Sequence, residues 1–296
     1  MPQGGFETLP AQWNAYGPPA HGTALIYAGN QSYVETYSFP GGAAHGTFTV
    51  DGLVEGMCSN SKGDVFVALA PRKRMKSPTG FVEEYAHGGT TPIATLQLPN
   101  REIPVACSSD PATGNLAVTA QNSVNYAPAV AIYANASGTP KVYTSRALGA
   151  YPQAAYDAAG DLFATSGANV GVELAAGKDS LKKITLTQTL GGAQHVQWDG
   201  KYWAIESFDT SKHNREKLFE RIFRVQISGS RAKVVGTSRF DAWPASDPGQ
   251  AWIANQTILA TPRSSILFWA YPSGGAPRKT VHSPHHVKAI TVSSTG

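Results

Sequence analysis

The chain of 296 residues contains only two cysteines, three methionines and 15% charged residues. Two cysteines close at most one bridge, so disulfides cannot be the main staple of a body this large. Charge at little more than half the usual quarter leaves Ser, Thr, Asn, Gln and backbone groups to solvate the surface, which suits short strands and tight turns better than long helices. No run approaches the ~18 uninterrupted apolar residues needed to cross a bilayer. The first 22 residues lack a cationic stretch followed by an apolar one, so no signal peptide is expected there. Gly-x-Ser-x-Gly is absent, and no phosphate-cradling or dinucleotide glycine pattern sits between a strand and a helix.

What is present is 42% apolar residues with 30 Gly and 20 Pro dispersed along the chain, the composition of a folded, turn-rich body. Length alone suggests about two domains. A repeat overrides that count. Gly63-Asp64-Val65-Phe66-Val67-Ala68 recurs as Gly114-Asn115-Leu116-Ala117-Val118-Thr119 and Gly160-Asp161-Leu162-Phe163-Ala164-Thr165, each a turn pair followed by an apolar strand. Further copies start at 22, 200 and 255, so neighbouring copies lie 40 to 55 residues apart. A second strand follows the better copies, as in Tyr33–Tyr37, Phe81–Tyr85, Ala129–Tyr133 and Ile266–Tyr271. A third follows these, and a fourth, often led by proline, precedes the next turn pair: Pro104–Cys107, Pro152–Tyr156 and Ala193–Trp198. Four antiparallel strands per repeat of this length are the pattern of propeller blades.

The repeat begins out of phase at residue 22, lacking the strand that should come first, while Pro284–Val292 is an orphan strand at the other end. Pairing the two completes one blade and leaves no open sheet edge. The expectation is an all-β, six-bladed β-propeller over residues 22–296, with four-stranded antiparallel blades and a ring closed by the C-terminal strand on the N-terminal blade. Residues 1–21, rich in proline and bearing Trp13 and Tyr16, are read as an arm.

The proline-led strand, the Asp-Ala-Ala-Gly turn at 157–160 and the apolar strand after it resemble the six-bladed propellers of the NHL-repeat and senescence-marker/gluconolactonase class. The resemblance covers nearly the whole chain and implies the fold, which does not by itself imply function. In that class the proline-led strand is innermost and its first residues ring one mouth of the central channel. Aligning the inner strands puts Glu55, Val105, Gln153, His195, Gln250 and His286 near that ring, with Gln194 and His285 one position away. Gluconolactonase-like enzymes hold calcium with a glutamate before a glycine, two asparagines and an aspartate. Glu55-Gly56 fits the first, but the other positions lack the oxygen-rich set that calcium prefers.

Two functions fit these residues. The first is a non-catalytic propeller, outside the cytoplasm and monomeric, that binds a small or polymeric ligand or a protein at the channel mouth, with Gln153, Gln194, Gln250 and His285 as contacts. The second is a metal-assisted hydrolase or lactonase-type enzyme in which Glu55, His195 and His286 are both catalytic residues and ligands of a divalent metal, one tolerant of imidazole. The cations Arg72, Lys73, Arg74 and Lys76 crowd one loop, and Ser207–Lys217 forms a second charged excursion. With a formal charge of +4 these either steer an anionic ligand toward the channel or simply solvate hairpins. No recognised nucleic-acid motif accompanies them, which argues against that partner. Cys58 and Cys107 fall on consecutive inner strands as core thiols or, in an oxidising compartment, as a bridge.

Overall fold

A computed structural model of the chain describes residues 22–72, 79–208, 219–244 and 249–294. The described residues are dominated by strand, and their helical turns are two single 3-10 turns, Ala134–Ala136 and Arg146–Leu148. The chain opens with β1 (Leu25–Asn30), β2 (Tyr33–Ser38) and β3 (Ala44–Thr49), an antiparallel meander. A second sheet holds β4 (Gly52–Ser59), β5 (Val65–Pro71), β6 (Phe81–Tyr85) and β7 (Ala94–Gln97). A third holds β8 (Glu102–Ser109), β9 (Leu116–Asn122), β10 (Pro128–Tyr133) and β11 (Lys141–Thr144).

Next come β12 (Gln153–Tyr156), β13 (Leu162–Thr165), β14 (Gly167–Leu174), β15 (Lys182–Trp198), β16 (Trp203–Phe208), β17 (Phe219–Ser228) and β18 (Arg231–Pro244), hydrogen-bonded as one seven-stranded sheet. Its continuity comes from the 17-residue β15, of which sequence reading anticipates only the second half. The first half pairs with β14, Glu173 opposite Lys182, and the second with β16, Trp198 opposite Trp203. Between them Gly191 crosses Gly167, where an added Cβ would lie 2.0 Å from the Gly191 carbonyl oxygen and φ is +96°. Only glycine fits that crossing. The last sheet is β19 (Ala251–Ala254), β20 (Thr257–Ala260), β21 (Ser265–Ala270) and β22 (Lys279–His282).

The orphan C-terminal strand does what its phase predicts. β23 (Ala289–Ser293) pairs antiparallel with β1, Leu25 opposite Ser293 and Ala28 opposite Ile290, so the two ends of the chain share one sheet. Innermost strands touch in a closed circuit: β4 on β8, β8 on β12, β12 on β15, β15 on β19, β19 on β23, and β23 on β4. The arrangement is a β-propeller.

Its core is a set of seams between sheets. Leu25, Tyr27, Met57 and Val67 fill the first, Phe66, Val82, Val118 and Tyr133 the second, and Ile26, Tyr37, Leu259 and Ile266 the one at the chain ends. A strand sandwiched between two seams buries both faces, which is why Val65-Phe66-Val67-Ala68-Leu69 reads as an unbroken apolar run. Each fully buried Phe or Leu stabilises the fold by about 1.5–3 kcal/mol relative to exposure. Cys58 and Cys107, 49 positions apart in sequence, are joined in a disulfide between β4 and β8. Among the described residues no helix is long and apolar enough to cross a membrane.

Candidate ligand-binding site at the channel mouth

Three inner strands carry a β-bulge, in β4 and β8 near the start and in β15 where its pairing with β16 begins. Pairing jumps from Val54 to Gly56 in β4, from Pro104 to Ala106 in β8 and from Ala193 to His195 in β15. The extra residues are Glu55, Val105 and Gln194, and a bulge re-aims the residue it inserts. All three line a cavity of about 720 Å³ at one end of the channel, together with Gln153 from β12, Gln250 just before β19 and Lys288 just before β23. The mouth is therefore lined from several inner strands.

The bulge in β15 also explains one of two displacements from the sequence alignment. His195 follows the bulged Gln194, and one residue along a strand changes the face on which a side chain lies. His195 lines a separate cavity of about 260 Å³ with the Cys58–Cys107 disulfide, Tyr156, Trp198 and Trp252. It is 4% exposed, its ring centroid is 5.8 Å from that of Trp252, and neither ring nitrogen has a hydrogen-bond partner among the described residues. Burial without a compensating partner lowers its pKa to about 3, so the imidazole is neutral.

The position expected for His286 is taken by Lys288, which sequence alignment missed. Ser283–Lys288 is not strand, and the Ser283 hydroxyl accepts the His285 backbone N–H at 3.1 Å in a local turn. Pairing on β1 begins at Ala289 and not at Pro284, with the Lys288 N–H just before it donating to the Gly29 carbonyl at 2.8 Å. His286 is exposed and does not line the mouth. His285 is drawn away from the channel: its Nδ1 lies 2.6 Å from Glu35 Oε1 and its ring stacks on Tyr33. Glu35, 1% exposed, also accepts the Tyr37 and Ser283 hydroxyls at 2.5 and 2.7 Å.

Glu55, His195 and His286 thus do not form one cluster, and among the described residues no three His, Cys, Asp or Glu side chains come together in a way that could hold a metal ion. Instead, Glu55 pairs with Lys288. Gln250 bridges the channel, its Nε2 donating to the Met57 carbonyl at 2.9 Å and its Oε1 accepting the Met57 N–H at 3.2 Å. Gln153 is 7% exposed and makes no side-chain hydrogen bond among the described residues, although it lines the cavity. Among the described residues, the Gln194 side chain reaches only the Gly192 carbonyl, at 3.5 Å.

Arg72 donates to the Val50 carbonyl and lines neither cavity. Lys73, Arg74 and Lys76, and the second charged excursion beyond Phe208, lie outside the described residues. On the rim stand Tyr126 and Tyr151, large aromatic side chains that sequence reading passed over. Two tyrosines in loops carry no periodic signal, so only their exposure marks them.

No known family model matches the chain, and no curated protein matches it. Among solved structures it is similar to a protein of unknown function from Bacteroides caccae, at 9% identity and a TM-score of 0.58 over 92% of this chain and 99% of that one. It is also similar to apo AztD from Citrobacter koseri, at 10% identity and a TM-score of 0.52 over 93% and 99% of the two chains. A third is the β-propeller domain of Cps50 (Swd1) from Myceliophteria thermophila, at 8% identity and a TM-score of 0.54 over 93% and 91%. Likeness at such identities carries the fold alone, and it supports a β-propeller without singling out the NHL-repeat or senescence-marker class.

Proposed function

We propose that residues 22–296 form a single six-bladed β-propeller that works outside the cytoplasm, as a monomer, by binding a ligand non-catalytically at its channel mouth. The blade count is supported by the circuit of six inner strands and by β15, whose halves serve as the outer strand of one blade and the inner strand of the next. The Cys58–Cys107 disulfide supports an oxidising compartment.

One observation carries the binding reading. A concave site of about 720 Å³ gathers polar side chains from several different strands, and one of them, Gln153, faces it with no side-chain hydrogen bond among the described residues. Concavities of this size, with a few convergent polar groups, are where ligands bind. The hydrolase reading finds no comparable support, since its three residues occupy three different surroundings.

The test is a thermal-shift panel of peptides, neutral oligosaccharides and sugar acids on the protein and on Ala150→Trp, which places a bulky ring on an exposed position of the cavity wall. Binding at the mouth is expected to raise the melting temperature of the parent and not of the variant. Equal shifts in both proteins, or no shift alongside turnover of an ester or lactone substrate, would count against it.

A further inference from the structure

We propose that the mouth takes an extended, uncharged peptide segment, whose backbone is read by Gln153 and Gln194 and whose proline or aromatic side chain rests on Tyr126 and Tyr151. The proposal rests on the mouth-binding reading and names its ligand class.

Charge sets the first limit. Among the described residues, Glu55 and Lys288 are the carboxylate and the ammonium of the cavity wall, and they pair with each other. The remaining polar groups are amides and hydroxyls, so an ionic ligand would lose its hydration without gaining a free countercharge.

The channel itself shows what its glutamines bind. Gln250 holds both the N–H and the C=O of Met57, and Gln197 does the same to Ile253, donating to its carbonyl at 2.8 Å and accepting its N–H at 2.7 Å. A primary amide offers a donor and an acceptor side by side, the complement of the two groups of one residue in an extended chain. Gln153 and Gln194 are the same residue type on neighbouring inner strands that pack together. Gln153 has no protein partner among the described residues, and the Oε1 of Gln194 has none either.

The rim supplies the second contact. Tyr126 is 66% exposed and Tyr151 is 63% exposed, so neither ring serves this protein's own core. Both sit in the left-handed region, at φ +59° and +53°, where a bulky residue is an outlier. Tyr151 also precedes Pro152, a position normally driven to extended backbone. Local bonds hold the first loop in place: Asn122 Oδ1 accepts the N–H groups of Val124 and Asn125, and Gln121 Nε2 donates to the Tyr126 carbonyl. Exposed aromatic rings beside backbone-reading amides are the chemistry by which proline-rich and aromatic peptides are recognised. Single-stranded nucleic acid would need a cationic groove, and among the described residues of the cavity wall the one ammonium, that of Lys288, pairs with Glu55.

Fluorescence anisotropy decides it, using fluorescein-labelled, end-capped hexapeptide pools with Pro, Tyr or Trp fixed at the centre, alongside labelled xylotetraose and oligodeoxythymidylate. The parent is expected to bind a peptide pool. Gln153→Leu and the exposed-site double variant Tyr126→Ala/Tyr151→Ala should each weaken binding by about tenfold or more, as should N-methylation of the central peptide bond. The tyrosine pair keeps the test decisive if Gln153→Leu fails to fold. Unchanged affinity in the tyrosine variant or for the N-methylated peptide overturns the proposal, as does no peptide binding. Xylotetraose or oligodeoxythymidylate binding alone, lost in Ala150→Trp, overturns the peptide class while the mouth reading stands. Peptide binding undiminished in Ala150→Trp overturns both.

Discussion

Glu102 opens β8 with its carboxyl 4% exposed, and its Oε2 has no partner among the described residues. Desolvation raises its pKa from 4.5 to about 7, so the folded state holds a proton that the unfolded chain releases at lower pH. The protonated form is the better-folded one. Its contribution is complete below about pH 4.5 and is lost as the pH rises toward 7, at about 1.4 kcal/mol per pH unit, or about 3 kcal/mol in all. Glu102→Gln keeps the shape and cannot ionise. The variant is expected to match the parent near pH 4 and to exceed it by about 2–3 kcal/mol at pH 8. Urea unfolding at both pH values, with unchanged slopes, measures this directly. The parent-to-variant difference cancels every other titrating group that the two share. A difference that is the same at both pH values, or a variant less stable than the parent at pH 8, refutes the reasoning.

Two further outcomes concern the channel's lower half. Breaking the Cys58–Cys107 bridge by the double change Cys58→Ala/Cys107→Ala releases a 49-residue separation in the unfolded chain, and the chain-entropy estimate for that loop is about 4 kcal/mol. Thermal unfolding in the absence of reductant measures the loss; a cost under about 1 kcal/mol would show that the bridge does not restrain the ring. For His195, with its pKa lowered to about 3, stability is full above the ordinary value of 6.5 and falls by about 1.4 kcal/mol for each pH unit below it. His195→Phe should flatten the acid limb between pH 6 and pH 4, and an acid limb identical to the parent's would mean that the imidazole is not buried neutral.

How much of this was legible in the sequence depends on the range of the interaction that carries it. The turn-pair strands at Val65, Leu116 and Leu162 announce themselves because strands buried on both faces must be apolar throughout. Closure of β23 on β1 follows from the phase of the repeat, since each end lacks the strand the other supplies. The bulges at Glu55, Val105 and Gln194 leave no mark in composition, and a period of two turns a one-residue miscount into the opposite face, which moved His195 from the expected mouth to the cavity below. Lys288 was missed because the loop before β23 folds on itself and on Glu35 instead of starting the strand at Pro284. Local pattern determined the strands and the ring they close. Only the tertiary structure decided which side chains meet at its centre, because that meeting depends on register between segments far apart in the chain.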